Sequence, residues 1–282
     1  MKTILVPTDF SQNAYNALLY ATRLFKDQEC KFYLLNTFEV DTPILTSRID
    51  TTKGNLLYTK LSCASKDGLA ETLHAITRDC EDYNHSFETL SISKKLVETV
   101  QNTIKRKKID LVVMGTQGAT RAKEYLLGSN TIRVVQGNTL CPTLMIPSEY
   151  VFTNPKDIAF STDLRRFYGK DEIAPITRLL EMFKAELHIL HIRETGKLDE
   201  IQQYNYDKLL EHLGDVEVSV HWLEKQKEKS ESISNYIREY NIRMLFMVNY
   251  KHSFIERMTR ESVIRKIGLH VEIPFMVIPG LS

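Results

Sequence analysis

The sequence predicts two tandem α/β domains, each a five-stranded parallel sheet covered by helices. Three observations carry that expectation. The chain has 282 residues, more than the ~100–200 usual for one domain. Short apolar runs alternate with longer segments of helical periodicity, the pattern of a parallel sheet whose strands are buried on both faces. The whole pattern also occurs twice.

In the first half, strands are predicted at 3–8, 31–37, 86–92, 109–115 and 142–146. "NAYNALLYATRLFK" follows the first strand as a helix, and "SNTIRVVQG" precedes the last. In the second half the strands fall at 157–162, 186–192, 216–222, 243–249 and 274–278, with "SISNYIREY" as a helical run. The duplication is read residue by residue. "ILVPTDFS" from Ile4 returns as "IAFSTDLR" from Ile158, and "KFYLLNTFE" from Lys31 as "ELHILHIRE" from Glu186. "LVVMG" from Leu111 returns as "LFMVN" from Leu245, and "CPTLMIP" from Cys141 as "IPFMVIP" from Ile273. Between the second and third strands the offset drops by about twenty residues, where only the first half carries "VDTPILTSRIDTTKGNLLYTK". That polar, threonine-rich stretch is expected to be a surface excursion. The domains are placed at 1–148 and 156–282, with a polar link around Asn154-Pro155.

Hydrophobic residues at 43% and charged residues at 26% describe a folded, water-compatible chain. With 37 basic against 36 acidic residues the net charge is +1, so no global field attracts nucleic acid or an anionic membrane. "MKTILVPTDF" is too short and too weakly charged for a secretory leader, and no apolar stretch reaches ~20 residues, so a cytoplasmic protein is expected. Cys30, Cys63, Cys80 and Cys141 are widely spaced. They predict reduced, mostly packed thiols in place of a zinc knuckle or disulfide scaffold.

Ligands of open parallel sheets sit beyond the strands' carboxyl ends, where neighbouring connections part. Two motifs lie there: "PTDFS" from Pro7, and "GTQGATRAKEYLLGS" from Gly115, which reads G-x-x-G-x9-G-S. Glycines let the backbone bend sharply or approach a ligand, and successive free N–H groups favour an anion. Gly128-Ser129 opens a helix whose first N–H groups and dipole suit phosphate. Against this stands a structural reading in which Gly115 merely turns the strand and Ser129 merely caps a helix. Asp9 likewise has two readings: an N-cap with Gln12 three residues on, or a ligand carboxylate that accepts from ribose hydroxyls or approaches a phosphate-bound metal.

Together, "VPTDFS", the "FYLLNTF" strand and the glycine motif followed by "CPTLMIP" resemble the universal stress protein family, and the duplication resembles its tandem-domain members. The resemblance implies a Rossmann-like α/β sandwich, similar to adenine nucleotide alpha hydrolases, that takes part in stress responses and binds ATP or AMP without a general enzymatic activity. By it, Pro7, Thr8 and Asp9 border the adenosine and Thr37 closes over the base. Gly115 and Gly118 approach the ribose and phosphates, and Gly128, Ser129 and Asn130 cradle the phosphate tail. Mg2+ would come with the nucleotide, near Asp9. A basic residue that the family often has after the second glycine is Ala119 here, which leaves ATP against AMP open. The resemblance further implies that the halves pair through their last strands, with a homodimer of chains as an extension.

At the equivalent loop the second half reads "NYKHSFIERMTRESV" from Asn249, without any motif glycine. It is expected to keep the fold and not to bind nucleotide. No P-loop, nucleophile elbow or H-E-x-x-H pair is present, and no catalytic base is identified. A slow ATP hydrolase and a nucleotide-free interaction scaffold are the two competing functions. His188 and His191, three apart on one strand, should point to opposite faces and share no metal. The "KRKK" run at 105–108 is assigned to solvent at a helix end, and Trp222 to a rim or interface position.

Overall fold

The computed structural model describes residues 1–40, 48–116, 128–193, 197–224, 226, 229–249 and 272–280. Among them the chain divides into two compact units, residues 1–149 and 150–280.

In the first unit the elements run β1 (Lys2–Pro7), α1 (Gln12–Leu24), β2 (Cys30–Thr37), α2 (Arg48–Asp79), β3 (His85–Ile92), α3 (Leu96–Lys107), β4 (Leu111–Gly115), α4 (Ser129–Gly137) and β5 (Thr143–Ile146). The strand order is β3-β2-β1-β4-β5, and its pairings are parallel. The chain therefore winds outward from β1 through β2 to β3, then returns to the other side of β1 as β4. With right-handed crossovers, that reversal sends the helices before and after it to opposite faces. One face is sealed by Leu5, Tyr33, Leu35, Val112 and Met114 against Val100 and Ile104 of α3 and Val134 of α4. α1 turns Ala14, Ala17, Leu18, Ala21 and Leu24 inward, and its alanines let it lie close to the sheet. Leu5, Leu35 and Val112 are each fully buried, worth roughly 1.5–3 kcal/mol apiece.

The second unit repeats this plan: β6 (Asp157–Ser161), α5 (Lys170–Phe183), β7 (Glu186–Arg193), α6 (Glu200–Leu213), β8 (Val218–Glu224), α7 (Lys229–Glu239), β9 (Met244–Asn249) and β10 (Phe275–Pro279). Its order is β10-β9-β6-β7-β8, again with parallel pairs, so β6 holds the place of β1 and β9 that of β4. Each predicted strand is present with ends shifted by at most two residues.

Two sequence expectations gain detail. The excursion after β2 is exposed over residues 55–60, and from Arg48 it forms the beginning of the 32-residue helix α2. Thr51, Thr52 and Gly54 are weak helix formers, but the stronger turns that follow propagate the helix back through them, since extending a helix costs far less than nucleating one. The "KRKK" run is not wholly given to solvent. Lys107 Nζ lies 2.8 Å from Glu88 on β3, which Lys31 of β2 also reaches at 2.9 Å. The four cysteines are free thiols, Cys63 exposed on α2 and Cys30, Cys80 and Cys141 buried. Burial pushes the thiols of Cys30 and Cys80 up to about 11 and that of Cys141 to about 12. Trp222 is 38% exposed at the end of β8, its ring 5.4 Å from that of His191. Among the described residues no helix is long and apolar enough to cross a membrane.

Candidate functional site at the carboxyl ends of β1 and β4

β1 pairs directly with β4, Ile4 with Leu111 and Leu5 with Val112. Pro7 to Asp9, Gly115 and the start of α4 therefore emerge at the same end of the sheet, at the point where the strand order reverses. Thr37, the last residue of β2, belongs to that end as well.

Pro7 is buried and the chain turns at once beyond it. The Thr8 N–H donates to the Leu35 carbonyl at 2.8 Å, and the Asn36 side-chain amide donates to the Thr8 carbonyl at 2.8 Å. Thr8 Oγ1 accepts from the Phe10 N–H at 3.0 Å, and Phe10 stands in the left-handed region at φ 64°. Asp9 Oδ1 accepts from the Ser11 N–H at 3.1 Å and from the Ser11 hydroxyl at 2.6 Å, while Ser11 Oγ accepts from the Ala14 N–H at 3.2 Å. The helix cap is thus Ser11, and Asp9, two residues earlier, orients it. Asp9 itself is solvent-exposed.

Gly115 ends β4 against α1. A Cβ there would stand 2.9 Å from the Asn13 carbonyl oxygen and closer still to the Asn13 amide, so the glycine is required by packing alone. Its carbonyl accepts from the Thr131 hydroxyl at 2.8 Å. The next residue begins the glycine loop, and the loop's two ends are tied by the Gly128 N–H donating to the Thr116 carbonyl at 2.5 Å. Gly118 lies outside the described residues. The N-cap of α4 is Gly128, so Ser129 is the first helical residue and not the cap. No side chain caps this helix and no acidic residue occupies its first turn. Ser129 and Asn130 are exposed there, leaving the terminus open to an anion.

A polar cleft of about 300 Å³ opens between the β1–α1 turn and α2, walled by Thr8, Ser11 and Tyr15 on one side and Glu71, Arg78 and Asp79 on the other. The Tyr15 hydroxyl donates to Asp79 Oδ2 at 2.6 Å. That bond is the main cause holding the Asp79 carboxyl below its usual range, and burial together with the same carboxylate pushes the Tyr15 phenol upward. Thr8 is the predicted site residue that faces this cleft.

The second unit repeats three hydrogen bonds of the turn. Thr162 N–H donates to the Leu190 carbonyl at 3.0 Å, Thr162 Oγ1 accepts from the Leu164 N–H at 2.9 Å, and Asp163 Oδ1 accepts from the Arg165 N–H at 3.1 Å. Leu164 takes φ 55°. Here, however, the turn is covered. Gln202 and Asn205 of α6 donate to the carbonyls of Asp163 and Leu164, both at 2.9 Å, and the Tyr168 hydroxyl meets Thr162 Oγ1 at 2.7 Å. Leu164 is fully buried where Phe10 is 40% exposed. Of the glycine-free loop, Asn249 ends β9 and its carbonyl accepts from the Gly280 N–H at 2.7 Å. Residues 250–263 lie outside the described residues.

Two parallel-sheet units with one conserved turn geometry and one strand order define a duplicated fold, and comparison with known proteins decides its kinship. Residues 1–147, more than half of the chain, match the universal stress protein family. The chain belongs to that family. Its general role is accordingly the stress response associated with the family. The universal stress protein MJ0531 of Methanocaldococcus jannaschii is 26% identical over 145 residues, 51% of this chain and 81% of that one. Among solved structures, a universal stress protein from Archaeoglobus fulgidus DSM 4304 is similar over 98% of this chain and 95% of its own, at TM-score 0.69 and 18% identity. The functionally unknown protein PA1789 of Pseudomonas aeruginosa PAO1 is similar over 99% and 92%, at TM-score 0.57 and 14% identity. At such identities the structural likeness bears on the Rossmann-like fold alone.

The Thr-Asp pair shapes the turn locally in both units, a role signalled in the sequence by its occurrence in both halves, including the one without the glycine motif.

Proposed function

We propose that this family member is a regulatory protein of the stress response that binds one adenine nucleotide, ATP or AMP, through its first domain (1–148), the second (156–282) keeping the fold without a nucleotide. The observation that carries the reading is the pairing of β1 with β4, by which the Pro7–Asp9 turn and the uncapped start of α4 share one end of the sheet, at the topological switch point. Ser129 and Asn130 would hold phosphate oxygens through main-chain N–H groups and side chains. Gly115 and Gly118 would approach the ribose and phosphates and Gly128 would share in cradling the phosphate tail, while Pro7, Thr8 and Asp9 would border the adenosine and Thr37 would close over the base. Magnesium would arrive on the phosphates, with Asp9 the nearest carboxylate in this scheme. The covered turn of the second unit, with Gln202, Asn205 and Tyr168 packed on it, supports one site per chain.

The test begins with purified protein, denatured, and chromatography of whatever nucleotide it releases, followed by calorimetry with ATP and AMP. One equivalent per chain is expected. Ser129→Glu gives effects of opposite sign: an acid in the first turn favours α4 by about 0.3–1 kcal/mol but repels phosphate, so nucleotide affinity should fall at least tenfold without loss of stability. Absence of released nucleotide together with no calorimetric binding would rule the reading out. Slow turnover of bound ATP in a single-turnover assay with magnesium would favour the hydrolase alternative.

A further inference from the structure

At the amino ends of β6 and β7, remote in kind from any nucleotide chemistry, three ligand-type side chains converge. Asp157 and Glu186 are the first residues of β6 and β7 and stand opposite one another in register. His188, two residues on, projects from the same face as Glu186. Its Nε2 is 3.6 Å from Asp157 Oδ1 and 3.8 Å from Glu186 Oε1, and the three ligand atoms lie within 4.8 Å of one another.

The imidazole is held from behind. His188 is 6% exposed and its Nδ1 meets the Tyr236 hydroxyl of α7 at 2.8 Å. The His221 ring stacks on it at 5.3 Å between centroids. Nε2 is buried without any hydrogen-bond partner among the described residues. Both carboxylates are too far away to accept a hydrogen bond from it. The Tyr236 contact allows either imidazole tautomer, and in the one with the proton on Nδ1, donated to Tyr236, Nε2 turns a lone pair toward two carboxylate oxygens. Three acceptors facing one point repel each other unless a cation sits between them. A buried, orphaned imidazole nitrogen is expensive, and a metal ion removes that cost.

We propose that Asp157, Glu186 and His188 form a binding site for a divalent first-row transition ion of the zinc type, independent of the nucleotide reading. One imidazole nitrogen and two carboxylate oxygens make a borderline-hard donor set without thiolate, which suits Zn2+, Co2+ or Mn2+ better than a soft ion. Bonds of about 2.0–2.2 Å to such an ion require ligand atoms roughly 3–4 Å apart, close to the two observed spacings from Nε2. The Asp157 and Glu186 side chains are 40% and 32% exposed, so they are free to rotate and close the spacing around an ion, and solvent completes the coordination. Tyr236 is a positioning residue, fixing the tautomer and ring plane from the second layer. The bound ion clasps the starts of β6 and β7 together.

Equilibrium dialysis of the full chain against ZnCl2 alone should show one saturable equivalent, and Co2+ should give visible ligand-field absorption at the same stoichiometry. Glu186→Gln and Asp157→Asn, half-exposed changes that spare the core, should each weaken binding at least tenfold, and His188→Gln should abolish it. Tyr236→Phe should cost about tenfold or more in affinity and shift the Co2+ spectrum while leaving stoichiometry at one. Cys63→Ser and His74→Gln, on the exposed face of α2, should change nothing. If His188→Gln does not fold, the two carboxylate variants decide. No saturable binding by the wild-type chain, or wild-type affinity in both Glu186→Gln and Asp157→Asn, overturns the proposal.

Discussion

At the scale of single residues, Gly115 and Ser129 belong to one motif but answer to different demands. Gly115 faces the Asn13 main-chain oxygen, 2.9 Å from where a Cβ would be. Gly115→Ala should therefore destabilise the protein by about 1–3 kcal/mol through overpacking, measured by denaturant unfolding without any nucleotide present. A loss of binding in that variant would say nothing about ligand contact, which is why Ser129 is the better probe. Left-handed residues give a second forecast. Lys108 and Lys184 end α3 and α5 at φ 52° and 48°, a conformation in which a Cβ costs roughly 1–2 kcal/mol. Both are exposed, so Lys108→Gly and Lys184→Gly should each raise stability by about 1 kcal/mol, read as a higher unfolding midpoint at constant m-value. The sequence could show the Thr-Asp pair but not that Phe10 and Leu164 would share its strained geometry, because nothing in an aromatic or aliphatic residue announces positive φ.

At the scale of elements, Glu88 joins three of them, since Lys31 of β2 and Lys107 of α3 both reach this β3 side chain. Its carboxyl is held below the ordinary range, first by Lys107 and then by Lys31. The folded-state value lies below the unfolded one, so the contribution is in place above the usual glutamate range and is lost as pH falls through the lowered value. Glu88→Gln should flatten the acid limb of a plot of melting temperature against pH and leave the neutral-to-alkaline limb parallel to wild type. An unchanged acid limb would show that the three groups act independently. Strands were legible in the sequence because a parallel sheet buried on both faces writes itself as runs such as "LVVM" and "FMVI". No helix was read where α2 lies, its first turns being rich in threonine with a glycine inside. The His188 cluster was not legible at all. It depends on the register that puts Asp157 opposite Glu186, and register between strands about thirty residues apart leaves no local trace. His188 and His191 do part company across β7, His188 stacking on His221 and His191 meeting Trp222.

At the scale of the whole molecule, two copies of one plan have been kept while one surface diverged. The β1–α1 turn is open to solvent in the first unit and roofed by α6 in the second, although the turn itself is unchanged. That contrast makes fold and site separable properties here, since the geometry common to both halves serves folding and the geometry unique to the first can serve a ligand. Thiol accounting gives a further expectation at this scale. With Cys63 exposed and the other three thiols buried, a water-soluble disulfide reagent should modify one cysteine per folded chain promptly and all four after denaturation. Prompt reaction of more than one would mean that a core opens at low cost.

That same distribution equips the natural chain as an instrument. Its only accessible thiol among the described residues, Cys63, sits in the first unit, and its single tryptophan, Trp222, sits in the second. A dye on the one and intrinsic fluorescence from the other would follow the melting of each half separately, in unaltered protein, and show whether the halves come apart in one event or in two.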